Sequence, residues 1–130
     1  SPAGRLFAFH GIRVSQTCCL FVYGTLRDPD LVEQLTGKRF PTEPATLLDY
    51  ERHEPPGSYA YVLPAPGKRV AGVLIRDVDA TSLAAIDEYE CLGTLYDRQE
   101  VLVETERGYE RAFVYVGRPD KGAVRDVVRR

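Results

Sequence analysis

The chain has 130 residues, enough to bury one hydrophobic core but not two, and its 44% hydrophobic and 28% charged residues are typical of a globular protein. The chain has 17 Lys and Arg residues and 19 Asp and Glu residues, which gives a net charge of -2. This charge offers no general attraction to nucleic acid or to an anionic membrane. No apolar run approaches the roughly 20 residues that span a bilayer, and the run at 6–9 ends too soon for a signal-peptide core. We therefore expect a cytoplasmic protein whose partner is a small molecule, and neither a nucleic acid nor a membrane.

The cysteine and histidine residues give no sign of a disulfide framework or a metal site. The three cysteines are an odd number and two of them, Cys18 and Cys19, are adjacent, which favours a reducing compartment. His10 and His53 stand alone and no Cys-x-x-Cys occurs, so the ligand spacing of a zinc site is missing. We expect no bound metal.

The first predicted strand and helix enclose a tight loop. Residues 19–23 form a short apolar run bounded by glycine, which predicts a buried strand. Asp28 followed by proline predicts the start of a helix over 28–36, which Gly37 ends. The loop 24–27 between them can turn several backbone N–H groups toward one point. It is therefore either a site for an anion or an oxyanion, or only a strand-to-helix turn.

The middle of the chain is predicted to form strands. Residues 45–50 form one strand, and the proline-containing stretch 51–57 forms an exposed connection on which His53 is a surface residue. Residues 58–63 and 69–75 are predicted to pair as a hairpin around a Pro- and Gly-rich turn. The hairpin's first arm carries Tyr59 and Tyr61 on one face, where they could either pack in the core or line a pocket with their hydroxyl groups, and we favour packing.

A helix and a second hairpin follow. Asp79 is a suitable N-cap for a helix that ends near Glu90. Its apolar residues recur at a spacing of three, which predicts one packed face made of Leu83, Ile86 and Tyr89. The alternating stretch 98–105 and the stretch 109–116 predict two strands joined by a turn.

About six strands and two short helices make an α+β domain with a curved or closed sheet. We place this domain at residues 18–117, after an N-terminal arm of unknown role at 1–17. The basic C-terminal tail, residues 118–130, could be a short packed helix or a solvated end, and we favour the solvated end.

Two motifs occur in a characteristic order. The first is Tyr-Gly-Thr-Leu at residues 23–26, and the second is Asp-Glu-Tyr-Glu at residues 87–90, followed by Tyr-x-Arg at 96–98. Together with the strand at 69–74 they resemble the gamma-glutamylcyclotransferase-like family, in its AIG2-like branch, over residues 20–117. The resemblance implies that the α+β domain is a small mixed β-barrel or roll.

The resemblance also implies an activity. Members of this family cleave gamma-glutamyl amines or peptides by letting the substrate's own α-amino group attack its side-chain carbonyl. The products are 5-oxoproline and a free amine, and neither a cofactor nor a metal is used. By position in the acidic motif, Glu90 matches the general acid and base, and the substrate-binding loop matches Tyr23, Gly24, Thr25 and Leu26.

Neighbouring residues leave alternatives open. Glu88 is the rival to Glu90, but residues two apart on a helix point in different directions, so at most one of them enters a given pocket. Tyr96 and Arg98 match the family's Tyr-x-Arg, and the resemblance implies that they bind substrate. An equal alternative is that Arg98 forms an ion pair with a carboxylate beside the site and has a structural role. Cys91 is a weak candidate nucleophile, because no histidine is placed by sequence to activate it.

Two classes of function follow from these residues. The first is a gamma-glutamyl cyclotransferase, and the alternative is a non-catalytic module that binds a small carboxylate on the same fold. An intact Glu90 favours the enzyme, because a pure anion binder gains nothing from another negative charge in its pocket. Neither the leaving group nor the oligomeric state can be read from a motif.

Overall fold

The computed structural model describes residues 16–93 and 95–118, together with two short strands, β1 (Ala8–Phe9) and β2 (Ile12–Arg13). These two strands pair with each other as a separate antiparallel sheet. Most of the predicted arm at 1–17 and of the tail at 118–130 lies outside the described residues. The domain boundaries therefore remain a prediction.

Five strands close into a barrel in the order β3-β5-β4-β6-β7. Their bounds are β3 (Thr17–Val22), β4 (Thr42–His53), β5 (Tyr61–Asp79), β6 (Tyr96–Thr105) and β7 (Gly108–Gly117). Neighbours in the barrel are antiparallel except β3 and β7, which meet in parallel at Leu20 and Phe113. The α+β class and the small mixed barrel are confirmed, with five barrel strands where about six were expected.

The difference arises at the predicted hairpin of 58–63 and 69–75, which is wrong. Residues 61–63 and 69–75 belong to the one long strand β5 and pair with β4 on either side of a register shift, while residues 58–60 precede the strand. The Pro- and Gly-rich residues bulge out opposite Asp49, whose Oδ1 accepts a hydrogen bond from the N–H of Gly67 at 2.9 Å. Gly67 has a φ of +83°, which favours glycine. The local chemistry of a turn is thus used for a bulge.

Both helices lie where they were predicted. Helix α1 (Pro29–Thr36) begins after Asp28, whose side chain accepts from the N–H of Asp30, and it ends at Gly37 with φ +78°. Helix α2 (Ala80–Tyr89) begins directly after β5. Its N-cap carboxylate accepts the N–H of the residue at the third helical position, so this helix end is also satisfied by a side chain.

The buried residues form two clusters, and strand β3 contributes side chains to both of them. One is drawn from all five barrel strands and fills the barrel interior, and it includes Phe21 and Tyr23. The other joins the barrel wall to the helices and includes Leu20 and Val22. Because side chains alternate along a strand, β3 is covered on both faces. The loop that follows β3 therefore starts from a rigid base.

Candidate active site

A cavity of about 340 Å³ opens where β3 ends, beside the end of α2 and the start of β6. It brings together six of the seven residues that the sequence singled out, which are Tyr23, Gly24, Thr25, Leu26, Glu90 and Tyr96. Residues from three distant parts of the chain therefore meet at one hollow of a size typical for a small ligand.

The loop after β3 folds as a single 3₁₀ turn, Thr25–Arg27. The N–H groups of Arg27 and Asp28 close this turn by donating to Gly24 and Thr25, each at 3.1 Å. The N–H groups of Thr25 and Leu26 precede these donors, so the turn does not use them. Leu26 is only 3% exposed and anchors the loop in the core. A Cβ added to Gly24 would meet no other atom within 4 Å, which shows that the space beside it is open.

Glu90 stands at the C-terminal end of α2 and lines the cavity. Its N–H donates to the carbonyl of Ile86 at 2.9 Å, which fixes its backbone as a continuation of the helix. Burial raises the pKa of its carboxyl group from 4.5 to about 7. Glu88, by contrast, is exposed and outside the cavity lining. Only one of the two rivals therefore faces the cavity, as their spacing predicted.

The raised pKa predicts that Glu90→Gln stabilises the fold at alkaline pH. Between pH 4.5 and about 7 the folded protein retains a proton that the unfolded chain has lost, so wild-type stability falls as pH rises through this window. Glutamine avoids this loss. We expect its advantage over wild type in the free energy of unfolding to grow by about 2 kcal/mol between roughly pH 5 and pH 8, measured by urea denaturation. An advantage independent of pH would show that the carboxyl group is not buried.

Buried tyrosines tie the cavity walls together. Tyr23 donates its hydroxyl to the carbonyl of Tyr115, and Tyr115 donates its own hydroxyl to Asp87, both at 2.6 Å. Tyr96 donates to the carbonyl of Ala60 at 2.7 Å. Burial raises the pKa of all three phenols, so they remain protonated donors at neutral pH.

Arg98 is the one predicted site residue that does not line the cavity. Its guanidinium group pairs with Asp87, and both side chains are largely buried, at 5% and 14% exposure. The same guanidinium lies 5.0 Å from the centre of the Phe113 ring. This geometry matches the alternative in which Arg98 holds a carboxylate beside the site. That carboxylate belongs to Asp87, which lies about one helical turn before Glu90.

Several residues line the cavity although the sequence favoured another place for them or did not single them out. Tyr89 was expected in the core, yet it is 39% exposed and its hydroxyl lies 3.0 Å from Thr25 Oγ1. Tyr59 was also expected to pack, but it is 60% exposed and lines the cavity with Ser58 and Arg52. The tyrosine and glycine content around 57–61 was the available signal for a binding surface. No signal in the sequence indicated that Arg52 would line the cavity.

The remaining candidates gain no support as catalytic groups. His53 stacks on Tyr61 with ring centres 5.3 Å apart and does not line the cavity, and Cys91 lines it with no described histidine beside it. Among the described residues, no three His, Cys, Asp or Glu side chains lie together so that they could hold a metal ion. In the same part of the chain, no helix is both long and apolar enough to cross a membrane.

Comparison with known proteins gives matches at three levels. A family model described as gamma-glutamyl cyclotransferase, AIG2-like, matches residues 20–129. AIG2-like protein D of Arabidopsis thaliana is 33% identical over 85 residues, which are 65% of this chain. The chain spans only 55% of the length of that relative.

Solved structures share the fold. The solution structure of another Arabidopsis thaliana protein is 27% identical and has a TM-score of 0.71, covering 82% of this chain and 74% of its own. The crystal structure of an AIG2-like protein from Mus musculus is 20% identical with a TM-score of 0.66, covering 84% of each chain. At that identity the mouse protein bears on the fold alone.

Proposed function

The chain belongs to the gamma-glutamyl cyclotransferase, AIG2-like family, and from that premise we propose that it cleaves gamma-glutamyl amines or peptides into 5-oxoproline and a free amine. The observation that carries the proposal is the pairing, in one cavity, of a single buried carboxyl group with an open glycine-containing loop. General hydrolysis usually requires a nucleophile with its base, a metal or two acids. A reaction in which the substrate's own amine is the nucleophile requires only one acid and base group together with donors for the oxyanion.

Glu90 supplies the proton transfers in this proposal. In its ionised form it takes a proton from the substrate's α-ammonium group, and the free amine then attacks the γ-carbonyl carbon. The protonated Glu90 returns that proton to the departing nitrogen as the old C–N bond breaks. The regenerated carboxylate then takes the second proton from the ring nitrogen and passes it to the released amine, which leaves as an ammonium ion. No water is consumed and no external acid or base is needed. A pKa of about 7 suits both roles, because each protonation state is populated near neutral pH.

The loop after β3 is proposed to bind the substrate and to stabilise the oxyanion. We propose that main-chain groups of Tyr23, Gly24, Thr25 and Leu26 hold the glutamyl part and stabilise the oxyanion that develops on the carbonyl. The phenol of Tyr96 forms part of the wall that confines the flexible chain near its ring-closing conformation. For Arg98 we propose a positioning role through Asp87, in place of direct contact with substrate.

The alternative, a module that binds a small carboxylate without turnover, is less well supported. In such a module Glu90 would weaken binding, because its ionised carboxyl group, which is mostly buried, would repel the carboxylate of the ligand. A base poised near neutral pH is useful only if a proton moves.

N-acetylation of the substrate provides the test of reaction type. An N-acetylated gamma-glutamyl amide should not react, because the lone pair of its nitrogen is delocalised and cannot close the ring. Incubation of the protein with the free and the acetylated compounds, followed by mass detection of 5-oxoproline, makes the comparison. The free compound should give 5-oxoproline and no glutamate as first product.

Two results would contradict the proposal. Release of N-acetylglutamate would mean that water or a side chain attacks the carbonyl, as in an ordinary amidase. Failure of every gamma-glutamyl amine and peptide in a broad panel to yield 5-oxoproline, with binding retained, would leave the binding module as the function.

A further inference from the structure

A second wall of the cavity is formed by the end of β4 and the segment that connects it to β5. It contributes Arg52, Glu54, Ser58 and Tyr59. None of these residues belongs to the motifs that define the proposed catalytic end of the cavity. The part of the substrate that departs as an amine must also be accommodated, and this wall is built from side chains rather than from a main-chain loop.

Arg52 is the cation of this wall, and its orientation is fixed. Its Nε donates to the carbonyl of Tyr23 at 3.2 Å, and its Nη1 donates to Glu54 Oε1 at 2.8 Å. The side chain is 31% exposed, so most of it is already ordered. A guanidinium group has five N–H donors in a planar fork, and Nη2 donates to no acceptor among the described residues. Donors therefore remain for a ligand.

Ser58 adds a hydroxyl group that lacks a partner. Its Oγ is buried, and no described residue accepts or donates a hydrogen bond there. Such a group is unfavourable for the folded protein, and in native structures each one calls for an explanation. Because the hydroxyl turns about a single side-chain bond, a ligand in the cavity can supply the missing partner. The position is suited to binding rather than to stability.

Charge indicates the chemistry of that ligand. A planar fork with free donors matches a carboxylate, which accepts two parallel hydrogen bonds. An ammonium group on the leaving part would instead need Glu54, whose side chain is 61% exposed and therefore less ordered than that of Arg52, and whose pairing with Arg52 still leaves Nη2 available to a ligand. The wall therefore favours an anionic over a cationic leaving group.

We propose that Arg52 and Ser58 form a binding site for the leaving group and select substrates whose leaving group carries a carboxylate, such as a gamma-glutamyl amino acid. This inference rests on the proposed function, because it assigns the part of the cavity that the glutamyl group does not fill. It narrows the substrate class from gamma-glutamyl amines in general to gamma-glutamyl amino acids or peptides.

A matched pair of ligands tests it. Gamma-glutamyl-L-alanine and gamma-glutamyl-L-alaninamide differ only in the carboxylate of the leaving part. Their dissociation constants are measured by calorimetry in a Glu90→Gln background, where turnover does not interfere. We expect the alanine compound to bind about tenfold or more tightly, the scale of one charge-assisted hydrogen-bonded pair. Arg52→Gln should remove most of this preference.

Two further variants complete the experiment. Arg27→Gln changes the other arginine of the cavity lining, which belongs to the loop after β3, and should leave the ratio of the two constants unchanged. Ser58→Ala should lower the affinity for the alanine compound severalfold while leaving the melting temperature equal to or above that of its parent, because an unsatisfied hydroxyl is removed. This variant keeps the test decisive if Arg52→Gln folds poorly.

The outcomes separate the two proposals. Equal affinities for both compounds, or an equal loss of both in Arg52→Gln, would overturn the leaving-group site. Failure of the wild-type protein to produce 5-oxoproline would overturn the cyclotransferase function, and the binding ratio would still decide whether the wall recognises a carboxylate.

Discussion

Glu90→Gln is expected to lower turnover of a gamma-glutamyl substrate by about 100-fold or more, the scale of a lost general acid and base. Glutamine keeps the size of the side chain and can still donate and accept hydrogen bonds, but it cannot take the proton from the substrate's ammonium group. Ligand binding should remain close to that of wild type. Steady-state kinetics by 5-oxoproline release, together with calorimetry on the same preparation, measure both quantities.

Glu88→Gln is the matched control, because it makes the same chemical change two residues away at an exposed position. It should leave turnover nearly unchanged. The pH profile adds a second check, since kcat/KM of wild type should rise with an apparent pKa of about 7 as Glu90 ionises, and this limb should vanish in Glu90→Gln. Equal losses in the two variants would mean that Glu90 is not the base.

Arg98→Ala is expected to cost about 3–5 kcal/mol of folding free energy, because it leaves the largely buried Asp87 carboxylate without its counter-ion. Tyr115 donates to the same carboxylate, so the loss should spread to the cavity wall. Denaturant unfolding measures the change. The exposed ion pair of Arg69 with Glu104 offers a control, and Arg69→Ala should cost less than about 1 kcal/mol.

A double variant separates charge from packing at this position. Combining Arg98→Met with Asp87→Asn removes both charges and keeps an acceptor for the Tyr115 hydroxyl, so most of the lost stability should return. Arg98→Ala with a cost no larger than that of Arg69→Ala would show that the buried pair does not hold α2 in place. The activity of the double variant then reports whether packing alone positions Glu90.

The sequence predicts which residues meet at the proposed catalytic end of the cavity because its signals there are local. Asp28, the proline after it and Gly37 determine both ends of α1, and Asp79 starts α2 in the same way. The loop and Glu90 sit directly at the ends of these elements. Short-range chemistry is sufficient to place them once the family motifs are recognised.

The second wall of the cavity was not predictable for a physical reason. Whether residues 64–67 form a hairpin turn or a bulge depends on which strand is the neighbour, and barrel closure decides that. The extension of β4 to His53 brings Arg52 to the cavity, and that extension follows from pairing with β5 rather than from local propensity. Tyr89 was misplaced because a spacing of three also fits the end of a helix that faces a cavity.

The parallel contact between β3 and β7 closes the barrel, and Tyr23 and Tyr115 meet across it although they lie 92 residues apart in sequence. Contacts of such high sequence separation carry a large loop-closure entropy and form late and slowly during folding. We therefore expect the cavity to form only when the barrel closes. A bound ligand consequently protects the whole domain against global unfolding, by about 2.7 kcal/mol when its concentration is 100 times its dissociation constant. Resistance to proteolysis in the presence of substrate is thus a property of the entire barrel and not of the loops around the ligand.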